Sequence, residues 1–280
     1  MSASEGGRRI REAIGDAGAA GRTALVAYVM AGFPNEADAL AAAEAALAAG
    51  ANLLEVGVPF SDPMADGPTI ADAGRVSLAN GGGFDSALRM VAALRDRGHD
   101  QPVLLMSYLN PLVAAGERSA LTAARAAGAD GLILPDLPAG ASPRLERCAA
   151  SLGLGLSFLV APNTAPARLD TAIGASTGFL YVVPLLGVTG ARDRLAAGAA
   201  ELLSSVRTRV AGRVPVAAGF GISRPDQLRD LGQGADAVII GSALVAAVRD
   251  GGAAAIGKLV RSLASATDRS QLRRGEGRDS

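Results

Sequence analysis

Eight short apolar runs, each followed by an alanine-rich segment of helical length, set the limits on how this chain can fold. The pattern predicts strands at Ala24–Val29, Asn52–Val56, Pro102–Met106, Gly131–Leu134, Gly155–Val160, Phe179–Val183, Val214–Ala218 and Ala237–Ile240. Between them it predicts helices at Glu36–Ala49, Phe84–Arg97, Ser119–Ala127, Ser142–Ser151, Pro166–Ala172, Leu195–Val210 and Pro225–Leu231, with room for an extra short helix around Thr69–Leu78. Strands that alternate with helices imply βα units and a parallel sheet. The strands are continuously apolar rather than alternating, as expected when both faces are covered. Gly50, Gly98, Gly128 and Gly234 fall where the helices need a residue just past their ends. Eight such units in 280 residues fit a single-domain (β/α)8 TIM barrel. Its core is expected over 22–266, and the polar segment 267–280 is expected to be a disordered tail. The alternative is an open doubly wound sheet. That fold calls for a glycine fingerprint after its first strand, where this chain has Met30-Ala31-Gly32-Phe33-Pro34. No Walker A loop occurs either.

Composition then narrows the function. The 27 Lys and Arg residues equal the 27 Asp and Glu residues, so there is no electrostatic case for nucleic acid or an anionic membrane. The basic start of the chain has no apolar run behind it, and no apolar stretch reaches the roughly 18 residues of a membrane span. A cytoplasmic location is expected. The lone cysteine, Cys148, allows no intrachain disulfide and reads as a buried core thiol. The lone histidine, His99, lies just before the third strand, at the wrong end of a barrel for catalysis, and reads as a solvated loop residue. Serine and cysteine hydrolase sets and zinc clusters are therefore excluded. Asp62 and Asp66 could hold Mg²⁺, but the prolines of their loop and the lack of a second acidic cluster argue against it. No metal is expected.

In a barrel the site is built from the loops after the strands. The second strand runs into Glu55 and then a loop carrying Asp62, Asp66 and three prolines. A Glu at the end of an apolar strand is costly to ionise, and its pKa is expected to rise. The null alternative is a Glu that ties a neighbouring strand. The remaining candidates for proton transfer are Asp66, Tyr108, Asp136 and Tyr181. Three glycine turns follow the sixth, seventh and eighth strands: Leu186-Gly187-Val188-Thr189-Gly190, Gly219-Phe220-Gly221-Ile222-Ser223 and Gly241-Ser242-Ala243. Backbone N–H groups in such turns, with a helix starting at Ser242, suit a phosphate. None of these turns contains a Lys, so backbone donors would carry the anion.

The block Val58-Pro59-Phe60-Ser61-Asp62-Pro63-Met64-Ala65-Asp66-Gly67-Pro68-Thr69, together with the Thr189-Gly190 and Gly219–Ser223 turns, resembles the tryptophan synthase alpha subunit family. The likeness runs from about Tyr28 to Gly257. It implies a lyase that cleaves indole-3-glycerol phosphate to indole and glyceraldehyde 3-phosphate. It also implies an alpha2beta2 heterotetramer whose beta subunit holds pyridoxal phosphate and condenses the indole with serine; no cofactor is expected in this chain. By the resemblance, Glu55 is the acid and base, and Asp66 accepts the indole N–H. Tyr28, Tyr108 and Tyr181 match aromatic positions near the substrate, where ordinary packing at the barrel rim is an equal reading. Gly190, Gly219, Gly221, Gly241 and Ser242 match the phosphate-side turns. Thr189 belongs to a closing lid that meets Asp66, and Asp62 faces the beta subunit. Pro184-Leu185-Leu186 departs from family versions with Ser-Arg-Ser there, which bears on lid closure. Two other readings stay open at this point: another phosphate-binding barrel enzyme, and a subunit that only activates a partner.

Overall fold

The computed structural model describes residues 4–183, 192–219, 221–232 and 234–268. Nine parallel strands are joined in the order β5-β4-β3-β2-β1-β9-β8-β7-β6. They are β1 Ala24–Met30, β2 Leu53–Gly57, β3 Val103–Met106, β4 Gly131–Ile133, β5 Gly155–Ser157, β6 Leu159–Val160, β7 Leu180–Val182, β8 Val216–Ala218 and β9 Ala237–Ile240. The helices are α1 Glu5–Ala19, α2 Glu36–Ala48, α3 Pro68–Ala79, α4 Phe84–Asp96, α5 Leu109–Ala114, α6 Glu117–Ala126, α7 Pro143–Ser151, α8 Pro166–Ala175, α9 Arg192–Val210, α10 Pro225–Gly232 and α11 Ser242–Ser265.

β5 and β6 are two halves of the fifth barrel strand, expected as one piece over Gly155–Val160. β5 pairs with β4, while β6 pairs with β7, so the cylinder closes across Phe158. Closure leaves no free sheet edge, and this is the (β/α)8 barrel of a single domain.

The alternation of side chains along each strand divides the apolar residues into two sets. Ala24, Val26, Leu53, Leu104, Ile133, Phe179, Ala217, Ala237 and Ile239 pack together inside the barrel. Their neighbours in sequence, such as Leu25, Ala27, Leu54, Val56 and Leu105, pack outward with the small faces of the helices, including Ala39, Ala42, Ala43 and Ala46 of α2. Alanine on these faces lets helices lie close to the sheet.

α1 was not expected. Its Ile10, Ile14 and Ala17 join the interior set, so this helix plugs the N-terminal mouth of the barrel. Ser4 caps it, accepting from Gly7 N at 3.2 Å. A fully buried side chain such as Ile10 contributes about 2 kcal/mol by leaving water. α1 is further tied down by Arg9, whose Nε lies 3.2 Å from Asp130 Oδ1; Arg95 reaches Asp130 Oδ2 at 2.7 Å.

Four expectations change. His99 is not freely solvated: it is half-buried, with Nε2 3.5 Å from Glu44 Oε1, at the end of the barrel away from the site. Cys148 is half-buried against the core rather than enclosed in it. Thr267 and Asp268, placed in the tail by their polarity, belong to the body. Thr267 is buried and accepts from Thr23 N at 3.0 Å, and Asp268 forms an antiparallel bridge with Arg22. The short helix foreseen at Ser242 continues to Ser265, with a break in helical geometry at Gly251 and Gly252. Among the described residues no helix is long and apolar enough to cross a membrane.

Candidate active site

Glu55 lies on β2 two residues after Leu53, and two-residue periodicity turns both side chains into the barrel. It is 1% exposed, and neither carboxyl oxygen has a hydrogen-bond partner among the described residues. A carboxylate left so would be strongly disfavoured, whereas the neutral acid is tolerated. Burial first, and the nearby charge of Asp66 second, push the Glu55 carboxyl up from 4.5 to about 8. At neutral pH this group therefore carries its proton. The alternative reading, a Glu tying a neighbouring strand, finds no bond here.

Tyr28 stands opposite Glu55 in the β1–β2 register and Tyr181 rises from β7; both are buried, and both hydroxyls are held well above the usual phenol range, mainly by burial. Their rings need space that two glycines supply. A Cβ on Gly57 would lie 2.0 Å from the Tyr28 hydroxyl, and one on Gly219 would lie 2.5 Å from Tyr181 Cε2. The rings thus lean over the C-terminal ends of β2 and β8, on either side of Glu55. Gly241, at the end of β9, packs near Ile70 and the Cβ of Tyr28.

Asp66 sits on the loop between β2 and α3. Burial raises its pKa, while a hydrogen bond from the Tyr108 hydroxyl pulls it down. Tyr108 also accepts from Ala65 N at 2.8 Å, and its ring lies 5.2 Å from that of Phe60. Asp62, on the same loop, is exposed and accepts from Ser61 Oγ at 2.5 Å; Met64 beside it is 88% exposed.

On the same rim, after β8, Gly221 has φ +67°, a left-handed conformation that glycine adopts freely. Gly241 is the N-cap of α11 and supplies no side-chain cap. The Ser242 and Ala243 N–H groups at the start of α11 have no partner within the helix and carry the positive end of its dipole, whereas Leu244 N and Val245 N already bond Gly241 O. Gly221, Gly241 and Ser242 are thus backbone donors suited to an anion. Thr189, Gly190 and the Pro184-Leu185-Leu186 departure lie outside the described residues.

The structure brings Glu55, Asp66, Tyr28, Tyr108 and Tyr181 to one end of the barrel, in mutual electrostatic reach. It does not bring Asp136 in as a proton-transfer group; its carboxylate is exposed and accepts from Leu109 N. Phe60 stood out only as part of the Val58–Thr69 block, and Ser107, which supports Tyr108, carried no signal in the sequence beyond its place in a loop after a strand. Among the described residues no three His, Cys, Asp or Glu side chains gather as a metal site.

This arrangement offers a neutral buried acid, a second carboxyl group, aromatic walls and a backbone anion seat. The chain as a whole has relatives among known proteins. The family model described as tryptophan synthase alpha chain matches residues 15–272. The tryptophan synthase alpha chain of Carboxydothermus hydrogenoformans is 45% identical over 237 residues, covering 85% of this chain and 88% of that protein. That of Chloroflexus aggregans is 42% identical over 268 residues, covering 93% and 98%. A structure of Mycobacterium tuberculosis tryptophan synthase superposes with a TM-score of 0.85 at 35% identity, over 93% of this chain and 98% of the other. The alpha subunit from Legionella pneumophila gives 0.84 at 32% identity, with the same coverage. With the family model spanning nearly the whole barrel and the relatives aligned along almost their full length, this chain belongs to the tryptophan synthase alpha chain family.

Proposed function

We propose that this chain is a carbon–carbon lyase that cleaves indole-3-glycerol phosphate to indole and glyceraldehyde 3-phosphate, with the following division of labour. Glu55 donates its proton to indole C3, which makes the ring an electron sink and places positive charge on the ring nitrogen. Asp66, ionised, accepts the indole N–H and offsets that charge. The bond from C3 to the side chain then breaks, its electrons return to the ring, and the side-chain hydroxyl becomes the aldehyde. The Glu55 carboxylate left by the first step takes the hydroxyl proton, so the acid is regenerated. Acid–base assistance of this kind contributes roughly 10²–10⁴-fold per group. Tyr28, Tyr108 and Tyr181 wall the ring. Gly221, Gly241 and Ser242 hold the phosphate through backbone N–H groups; the Gly219 N–H is already donated to Val182 O, so Gly219 serves the site by leaving room for Tyr181. Thr189 and Gly190 close over the site and exclude water.

The partner is the tryptophan synthase beta subunit, in an alpha2beta2 heterotetramer. It supplies pyridoxal phosphate and consumes the indole with serine; this chain's own residues need no cofactor for the cleavage. Asp62, exposed on the loop that also carries Asp66, faces that subunit. The compartment is the cytoplasm.

The observation that carries this reading is the buried, unpartnered Glu55 carboxyl, protonated at neutral pH and in electrostatic reach of Asp66. Glu55→Gln keeps the shape and removes the proton. Indole release by this variant, with the beta subunit present, is expected to fall well below a tenth of the wild-type rate. A variant that keeps more than about a tenth rules out the acid role.

A further inference from the structure

Three neighbouring loops at the C-terminal rim are linked by hydrogen bonds that end at Ala65, the residue before Asp66. Tyr108, just after β3, grips the β2–α3 loop at both ends. Its ring packs on Phe60, 5.2 Å between centroids and tilted by 31°. Its hydroxyl accepts from Ala65 N at 2.8 Å and, beside the Asp66 carboxyl, pulls that group's pKa down. The phenol thus fixes the backbone just before Asp66.

Tyr108 is fixed in its turn. It is the N-cap residue of α5, in extended conformation, and its side chain caps nothing within its own helix. The groups around its peptide are satisfied from elsewhere. Ser107 Oγ donates to Tyr108 O at 2.9 Å. Both oxygens of Asp136, on the loop after β4, lie 3.0 Å from Leu109 N. The bond is charge-assisted, so it is stronger than a neutral one. It holds the peptide that follows Tyr108 on the side away from Ser107.

We propose that Asp136 is a positioning residue for Asp66: by holding the Leu109 N–H it fixes Tyr108, and Tyr108 holds the loop at Ala65 N, next to Asp66. Asp136 itself stays at the exposed rim and touches no reacting atom. Only the kinetic part of the test rests on the function proposed above; the geometric link stands on its own. A misplacement of Asp66 by about 1 Å would be felt as a loss of roughly 10²-fold at most, since alignment is what such shells supply. A carboxylate that only capped α5 would influence stability and nothing at Asp66.

The test compares Asp136→Ala, Asp136→Asn, Tyr108→Phe and the Asp136→Ala/Tyr108→Phe double variant in the full-length chain. The first readout is the titration of the Asp66 carboxyl, followed by carbon NMR. Glu55, Tyr28, Tyr108 and Tyr181 share its surroundings and are retained in the Asp136 variants. The Tyr108 hydrogen bond pulls Asp66 down, so Asp136→Ala should raise its midpoint by about half a pH unit or more. Tyr108→Phe should raise it further, and the double variant no further than Tyr108→Phe alone. Asp136→Asn keeps an acceptor oxygen and should recover most of the shift. The second readout is indole release, where Asp136→Ala should lower kcat about tenfold with KM within about threefold. Should the alanine variant not fold, Asp136→Ser, whose hydroxyl is one bond shorter, replaces it. An Asp66 midpoint unchanged in Asp136→Ala, or shifts that add in the double variant, overturns the proposal. A wild-type chain that releases no indole overturns the proposed function alone, because the titration still decides the positioning.

Discussion

Replacing Glu55 by Gln should change how stability depends on pH as well as how the enzyme works. In the unfolded chain this carboxyl loses its proton near 4.5; in the folded barrel it keeps it to about 8. Between those values the folded state holds one more proton than the unfolded state. Raising the pH therefore favours unfolding, at about 1.4 kcal/mol per pH unit for one group. Stability from this group is complete below pH 4.5 and is lost as pH rises toward 8. With rounding at both ends, the loss between pH 5 and pH 8 comes to about 3 to 4 kcal/mol. No discount for solvent screening applies, since the side chain is 1% exposed. Glutamine does not titrate, so its own unpartnered amide adds an offset that is the same at every pH. The assay is urea unfolding of both proteins at pH 5, 6, 7 and 8, with matched m-values as the condition for comparison. The three tyrosines keep their protons throughout this range, and Asp66 titrates in both proteins, so their contributions cancel to first order in the difference. The wild type should lose stability steadily against Glu55→Gln across this range. A difference curve flat to within about 1 kcal/mol would show that Glu55 titrates as an ordinary surface carboxyl, and the buried-acid argument would fail.

The same group predicts the rate profile: kcat should fall as pH rises through about 8, where Glu55 ionises, and an acid limb should reflect protonation of Asp66 above its ordinary range. Ser242→Asp places a carboxylate at the uncapped start of α11; KM for the phosphate substrate should rise at least about tenfold, with kcat changed less, as like charge opposes the anion at that helix end. Steady-state kinetics would refute the seat if KM stayed within about twofold. Arg95→Ala leaves Asp130, which is fully buried, short of its best partner and also orphans the Gly128, His99 and Gln101 carbonyls. It should cost about 3 to 5 kcal/mol in urea unfolding, yet leave kcat near wild type at low temperature, because the cluster lies at the opposite mouth of the barrel.

Much of the architecture could be read from residue order because it rests on local periodicity. Apolar runs such as Ala24–Met30 and Ala237–Ile240 announce buried parallel strands, and glycines such as Gly50 and Gly128 mark helix ends. α1 was not read from the sequence, although Ile10, Ile14 and Ala17 recur at helical spacing behind Ser4, because that segment carries few apolar residues. The carboxyl pair was legible because a Glu ending an apolar strand conflicts with its surroundings, and such conflicts mark sites that chemistry maintains.

Other features depend on contacts between residues far apart in the chain, and no local pattern encodes them. The break at Phe158 arises because β5 and β6 must serve different neighbours when the cylinder closes. Gly57 and Gly219 sit where Tyr28 and Tyr181 need room, which only packing reveals. Asp136 meets Leu109 N across a separation of 27 residues, and His99 meets Glu44 from another helix. Sequence by itself determined the eight βα units, their order and the acids at the ends of the strands, since propensity and burial pattern act over a few residues. The tertiary structure alone decided that Glu55 is left without a hydrogen-bond partner, that Tyr108 holds the loop at Ala65, and which glycines make space, because desolvation and steric fit depend on everything that surrounds a group.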